Sequence, residues 1–308
     1  MTNPASTESQ PLVTIGLPVY NGGKLLVPCL DSLVAQTYGN FEIVISDNAS
    51  TDDTKAICEQ YAARDSRIRF FTIDKNRGAA WNHRRVLELA SGEYFKWCGA
   101  DDAAAPRFVA ECVSALKARP DAVLAFPLTV VIDEDGQAVR KTTDRLPVSS
   151  PDPRIRFKAL LSNWEITHSP FYGVMRRSAL ERIRPFGDFL AGDRSFLAEL
   201  ALAGPFLQVE EFLMYRRHYS KHWKRTTEIE QEMLNPAGAD EFCPREFTML
   251  REHTISSIRT DASFGYRLRL IGTVGQWAFR LRRELLSEGR AYVSHRIRRV
   301  ARRRSGTT

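Results

Sequence analysis

The chain opens on a short β-branched run, "VTIGLPV" at 13–19, that ends in the turn Tyr20-Asn21-Gly22-Gly23. This pattern predicts a buried strand. Leu25, Leu26, Cys29, Leu30, Leu33 and Val34 then recur at helical intervals, which predicts a helix with one apolar stripe. Residues 41–45 read as a second strand, stopped by "SDNASTDDT", where Ser50 and Thr51 offer N-caps for a helix through Ile57 and Tyr61. A third strand at 67–73 leads through the turn "NRG" at 76–78 into a helix at 79–90. After Gly92 comes a fourth strand at 93–97, then Pro106 in the first turn of a helix ending near Pro120, then a fifth strand at 122–126.

Strands alternating with helices at this spacing imply right-handed crossovers and a mainly parallel sheet with helices on both faces. Ligands of such sheets bind beyond the carboxyl ends of the strands. Tyr20, Asp47, Asp101 and Asp102 each follow a predicted strand, so they are expected on one rim. Past residue 130 the pattern loosens. "VVIDEDGQAV" predicts a hairpin around Asp135-Gly136. "THSPFYGVMRRSAL" reads as a strand entering a helix near Ser178, 194–203 as a helix, and "FLQVEEFLMYRRH" as strand, turn, strand. From Glu246 onward the chain turns helical and rich in arginine, and no internal repeat is visible.

The 308 residues, 43% hydrophobic and 26% charged, suit a soluble globular chain with a sizeable core. No run of 18 uncharged apolar residues occurs, and the polar start "MTNPASTESQ" lacks a signal-peptide core, so the expected location is cytoplasmic. The net charge of +7 is local: Phe279 to Arg304 holds ten arginines against Glu284 and Glu288. A near-neutral body weakens any nucleic-acid reading. The five cysteines show no paired spacing and read as small reduced hydrophobes, not a zinc site or a disulfide framework.

The chemistry concentrates in "CGADDAAAP" at 98–106. Mg²⁺ and Mn²⁺ prefer carboxylate oxygens and share them with substrate phosphates, a role open to Asp101 and Asp102. A helix N-cap is the competing role. Asp47 likewise fits either a ligand contact or turn chemistry, and Asp193 at the mouth of a helix either a base or a cap.

Residues 13–54 and the approach "SGEYFKWCGADD" at 91–102 resemble glycosyltransferase family 2, the inverting enzymes of GT-A fold. The likeness is good over about 12–130 and thinner to about 220. It implies an α/β, Rossmann-like, mainly parallel sheet with a nucleotide-sugar-binding half at 12–130 and an acceptor-binding half at 131–225. Residues 1–11 are expected to be disordered, and 226–308 to form a helical, basic C-terminal extension. By resemblance, Pro18 and Tyr20 line the base pocket, Asp47 accepts a hydrogen bond from the base, and Asp101 lies near the ribose. Asp102 matches the ligand of a divalent metal (Mn²⁺ or Mg²⁺) on the diphosphate, and Asp193 the catalytic base. His218 is a candidate metal ligand or phosphate contact, His222 a weaker one, and Arg77 a candidate diphosphate contact. Trp164 and His168 fall where an acceptor pocket would form. The chain departs from many members in carrying Asn48 and Ala49 for Asp and Gly, and "AWNHRR" at 80–85 for an "ARN"-like stretch.

The implied reaction is inverting, metal-assisted transfer of a sugar from a nucleoside-diphosphate donor to a hydroxyl of a glycan, lipid-linked glycan or natural product. A nucleotidyltransferase, for which "YNGGK" would serve as the phosphate loop, and a catalytically silent binding protein are the rival readings. Tyr292, Val293, Ile297 and Val300 recur at helical spacing among arginines, which fits an amphipathic helix on an anionic membrane at the inner face or a solvated terminus. No nucleic acid is expected as partner, and the sequence leaves the oligomeric state open.

Overall fold

A computed structural model describes residues 10–143, 145–163, 168–218 and 244–304. The chain alternates β1 (Val13–Val19), α1 (Leu26–Val34), β2 (Phe41–Asp47), α2 (Thr54–Arg64), β3 (Ile68–Thr72), α3 (Ala79–Glu88) and β4 (Tyr94–Trp97). There follow β5 (Ala103–Ala104), α4 (Phe108–Ala118), β6 (Leu124–Ile132), β7 (Ala138–Thr142), α5 (Pro153–Ser162) and α6 (His168–Phe171). β8 (Val174–Arg176), α7 (Arg177–Leu180), α8 (Gly192–Ala203) and β9 (Phe206–Arg217) complete the sheet region. Three helices end the chain: α9 (Arg245–Arg259), α10 (Phe264–Arg280) and α11 (Arg282–Arg304).

One sheet takes in every strand, in the order β3-β2-β1-β4-β8-β6-β9-β5, with β7 on β6. β3, β2, β1 and β4 run parallel, as their helical crossovers require. β8 enters antiparallel between β4 and β6, and β9 returns parallel to β6. The side chains of β4 alternate between two cores: Phe95 and Trp97 face the side of α3, α5 and α8, while Tyr94 faces the side of α1 and α4. Both faces of the central strands are therefore dry, so they read as continuous apolar runs. Gly92 leads into β4 where an added Cβ would stand 2.7 Å from three backbone atoms, those of Leu12, Thr14 and Tyr94.

Three local expectations change. Residues 206–217 form one long strand, not strand, turn, strand; its register against β6 shifts on either side of Leu128, so a bulge absorbs what the polar pair Glu210-Glu211 suggested as a turn. The α2 N-cap is Asp53, while Ser50 and Thr51 turn to the loop after β1. Helix α4 starts at Phe108 with Arg107 as its cap, so Pro106 precedes the helix and neither Asp101 nor Asp102 caps it.

The C-terminal helices dock on the α8 side. Arg184 carries that contact: it pairs with Glu199 of α8 and Glu252 of α9 and donates to Ser256 Oγ at 2.7 Å. Trp277, Val274 and Leu270 of α10 join the same core as Phe157 of α5.

Candidate active site

The carboxyl ends of β1 and β2 lie level, Val19 opposite Asp47. Pro18 stands within β1 opposite Ser46, and Tyr20, half exposed, follows on the rim. The loops after the two strands are stitched together. Asn21 N–H donates to Ser50 Oγ at 2.8 Å, Thr51 N–H to Asn21 Oδ1 at 2.9 Å, and Gly22 N–H to Thr54 Oγ1 at 2.9 Å. The amides of Asn21 and Gly22 are thus spent inside the fold, which weakens the case for a phosphate loop there.

Asp47 is buried and well served. Its Oδ1 accepts from both the N–H and the hydroxyl of Ser50, and its Oδ2 from Thr72 Oγ1 at 3.3 Å. The neighbouring Asn48 explains its own departure from the family pattern. Its amide donates to Asn76 Oδ1 at 2.8 Å while its Oδ1 accepts from Arg77 N–H at 2.9 Å, a double duty no carboxylate could perform. The turn at 76–78 is fixed by these bonds. The Arg77 guanidinium lies 4.4 Å from the centre of the Trp81 ring, with Arg85 over the same ring at 5.1 Å.

Asp102 is equally buried and poorly served. Cys98 N–H bonds to Gly16 O, which swings the loop after β4 beside β1. Asp102 Oδ1 accepts from Arg217 N–H at 2.9 Å, and Oδ2 accepts no hydrogen bond among the described residues. The Arg217 side chain bonds carbonyls of Asp101, Asp133 and Glu134, clamping this loop to the end of β9 without neutralising it. Burial first, and the Asp101 charge second, push the Asp102 carboxyl up to about 7. Arg216 and the buried Lys96 pull the other way but make no ion pair with it among the described residues. A buried carboxyl beside a second one, lacking a cation, fits a hard divalent ion whose remaining sites are filled by phosphate oxygens. It does not fit a closed protein cage: among the described residues no three metal-ligating side chains gather around one point. His218 follows Arg217 on the exposed end of β9, its N–H on Ile132 O.

Asp193 lies in the first turn of α8, one residue past its start; Ala191 is the N-cap residue, so Asp193 is not the cap. Its Oδ1 accepts from Arg194 N–H at 2.9 Å. Tyr172 links it to the other acids. Burial raises the phenol above its ordinary range, and the charges of Asp102, Asp101 and Asp193 raise it further. All three carboxylates are therefore within electrostatic reach of one ring. His83 on α3 also feels Asp193, but burial dominates and lowers its pKa; the ring stacks on Phe186 at 5.3 Å.

Among the described residues, three other than glycine adopt positive φ: Asn21, Ala49 and Ala191. Asn21 follows Tyr20, while Ala49 stands two residues after Asp47 and Ala191 two residues before Asp193. Strain of this kind collects where surrounding structure holds a loop in one functional shape. Arg217, Lys96 and Tyr172 escaped the sequence reading, and Asn48 entered it only as a departure from the family pattern. Lys96, a charge inside the apolar run "EYFKWC", was the one visible signal; the others act through contacts across the fold. His222 and Trp164 lie outside the described residues, and His168 opens α6.

Residues 14–184 match the family described as Glycosyl transferase family 2. The chain is similar to chondroitin synthase of Escherichia coli, 30% identical over 135 residues that make up 44% of this chain and 20% of that protein. It spans between a fifth and two fifths of the length of the first curated relatives it matches. Among solved structures, TarS of S. aureus in complex with UDP-GlcNAc superposes with a TM-score of 0.63 at 17% identity, covering 88% of this chain and 73% of that one. The mannosyltransferase PcManGT from Pyrobaculum calidifontis, in complex with GDP-Man and Mn²⁺, gives 0.52 at 19% identity, over 94% and 83%. The fold is GT-A, and with more than half of its length matched the chain belongs to glycosyltransferase family 2.

Proposed function

We propose that the chain transfers a sugar from a nucleoside-diphosphate donor to an acceptor hydroxyl with inversion at the anomeric carbon. The observation that carries this reading is the buried, cation-deficient Asp102 on the same sheet edge as Tyr20 and Asp47. The family supports it, and TarS and PcManGT, whose structures hold UDP-GlcNAc and GDP-Man, lend the nucleotide-sugar class.

In this reading Pro18 and Tyr20 flank the base and Asp47 receives its hydrogen bond through lone pairs that Ser50 and Thr72 leave open. Asp101 meets the ribose, and Arg77, held on Trp81, faces the diphosphate. Asp102 anchors Mn²⁺ or Mg²⁺, with His218 as a further ligand. When bound there, the ion stabilises the charge that develops on the leaving diphosphate. Asp193 takes the proton of the acceptor hydroxyl as it attacks from the face opposite the phosphate, and a single displacement inverts the configuration. The acceptor class is a glycan or lipid-linked glycan, a reading that also gives the basic C-terminus a partner in an anionic membrane at the inner face.

Asp193→Asn separates binding from chemistry. Donor binding, followed as a thermal shift with UDP or GDP and Mn²⁺, is expected to persist, while release of nucleoside diphosphate falls at least 100-fold. Unchanged transfer by Asp193→Asn removes that residue as the base; donor binding without any release by the native chain favours a silent binding protein.

A further inference from the structure

Helix α10 has two apolar faces, and among the described residues only one is buried against a partner. Leu270, Thr273, Val274 and Trp277 are buried against the body. At 100° per residue, Phe264, Leu268, Gly272, Gly275 and Phe279 fall within an arc of about 80° on the opposite side. Phe264 is 77% exposed, Phe279 68% and Leu268 51%. An added Cβ at Gly272 or Gly275 would meet nothing within 4 Å, so this face stands clear along its length. Arg269 lies about 60° beyond the stripe on one side and Arg267 about 60° beyond it on the other by the same arithmetic. Arg282 lays its guanidinium 4.7 Å over the Phe279 ring.

Helix α11 carries a second exposed apolar row. Leu286, Val293 and Ile297 are exposed and share an arc of about 40°, with Arg290 beside them. Of the thirteen large apolar side chains exposed among the described residues, seven lie on these two helices. A folded surface seldom leaves such a stripe uncovered without a partner. The charge names the partner. The stretch from Phe279 to Arg304 carries ten arginines against two glutamates, which would repel a second copy of itself but suits an anionic lipid surface.

We infer that the outer face of α10, continued by α11, is a docking surface for an anionic bilayer, with Phe264, Leu268 and Phe279 entering the acyl boundary and the flanking arginines reaching the headgroups. The proposal rests on the membrane-facing acceptor reading above, but it assigns the contact to a folded, three-aromatic-or-leucine face of α10 and not to the terminal tail alone. The placement has a functional consequence. A cavity of about 320 Å³ lined by Arg194, Met249, Trp277, Arg280 and Leu281 opens between this helix and the turn that carries Asp193. Docking by the outer face would turn this cavity, and with it the helix turn that carries the candidate base, toward the lipid surface.

The test is flotation of the full chain with vesicles of phosphatidylcholine alone or with 30% phosphatidylglycerol, in low and high salt, for the native chain and for Leu268→Glu/Phe279→Glu. Both side chains are exposed, so the variant is expected to fold, and its thermal shift with UDP or GDP and Mn²⁺ provides the control. The expected result is salt-sensitive flotation with the anionic vesicles only, reduced at least tenfold in the variant while the nucleotide response persists. Equal flotation of variant and native chain, or none by the native chain, overturns the proposal. So does concentration-dependent dimerisation that the variant abolishes, because a second copy would then own the face. The nucleotide control keeps this failure distinct from failure of the transferase reading.

Discussion

The loops after β2 and β4 make an instructive pair. Each brings an aspartate to the same sheet edge, and each buries it, Asp47 to 1% exposure and Asp102 to 7%. Their electrostatics are opposite. Asp47 is surrounded by donors from its own turn, the Ser50 amide and hydroxyl and the Thr72 hydroxyl. Asp102 receives one backbone N–H and faces another carboxylate, and its pKa climbs to about 7. Burial alone does not make a carboxylate seek a cation; the count of donors around it does. One carboxylate is satisfied by donors of its own turn and Thr72, and the other is left short of them.

Substitution should expose the difference most strongly at Asp102. Asp102→Asn keeps the acceptor for Arg217 N–H but removes the charge, so Mn²⁺-dependent binding of UDP or GDP should weaken by 100-fold or more. The same change should stabilise the ligand-free chain at pH 8. The native-state pKa lies above the unfolded one, so the folded chain holds the extra proton and stability falls as pH rises from about 4 to 7. The two pH units from 5 to 7 correspond to about 3 kcal/mol as an upper bound, and denaturant melts at pH 5 and pH 8 would read it. A variant that is less stable than the native chain at pH 8 would break the comparison.

Asp47→Ala should act in the other direction, leaving the Ser50 and Thr72 donors unpaired and lowering stability by about 1–3 kcal/mol. Smaller still is Ala49→Gly. Ala49 holds a φ of 63°, so glycine should relieve about 1 kcal/mol of backbone strain, visible as a rise in melting temperature of a few degrees. A fall in melting temperature would mean that the alanine methyl contributes more than its backbone costs.

Much of this arrangement was legible in the sequence because the first half repeats a simple unit. Four strands with alternating helices placed Tyr20, Asp47 and Asp102 on a common edge without any long-range information. What escaped depends on contacts between distant segments. Ala103-Ala104 is a strand only because Tyr215 and Met214 pair with it, and two alanines carry no periodicity. The insertion of β8 between β4 and β6 is decided by tertiary pairing. Arg217 reaches the Asp102 loop across 115 positions of chain. The outer stripe of α10 was present in the sequence, but its exposure becomes evident only once the opposite stripe is seen to be buried.

The central claim is that Asp102 anchors the ion under the donor diphosphate, and proton release tests it most directly. Titration calorimetry of Mn²⁺ into the chain with UDP or GDP at pH 7, in two buffers of different ionisation heat, counts the protons displaced. With a carboxyl near pKa 7, the native chain should release about half a proton more than Asp102→Asn and bind the ion far more tightly. Equal affinity and equal proton release in the two proteins would contradict the account.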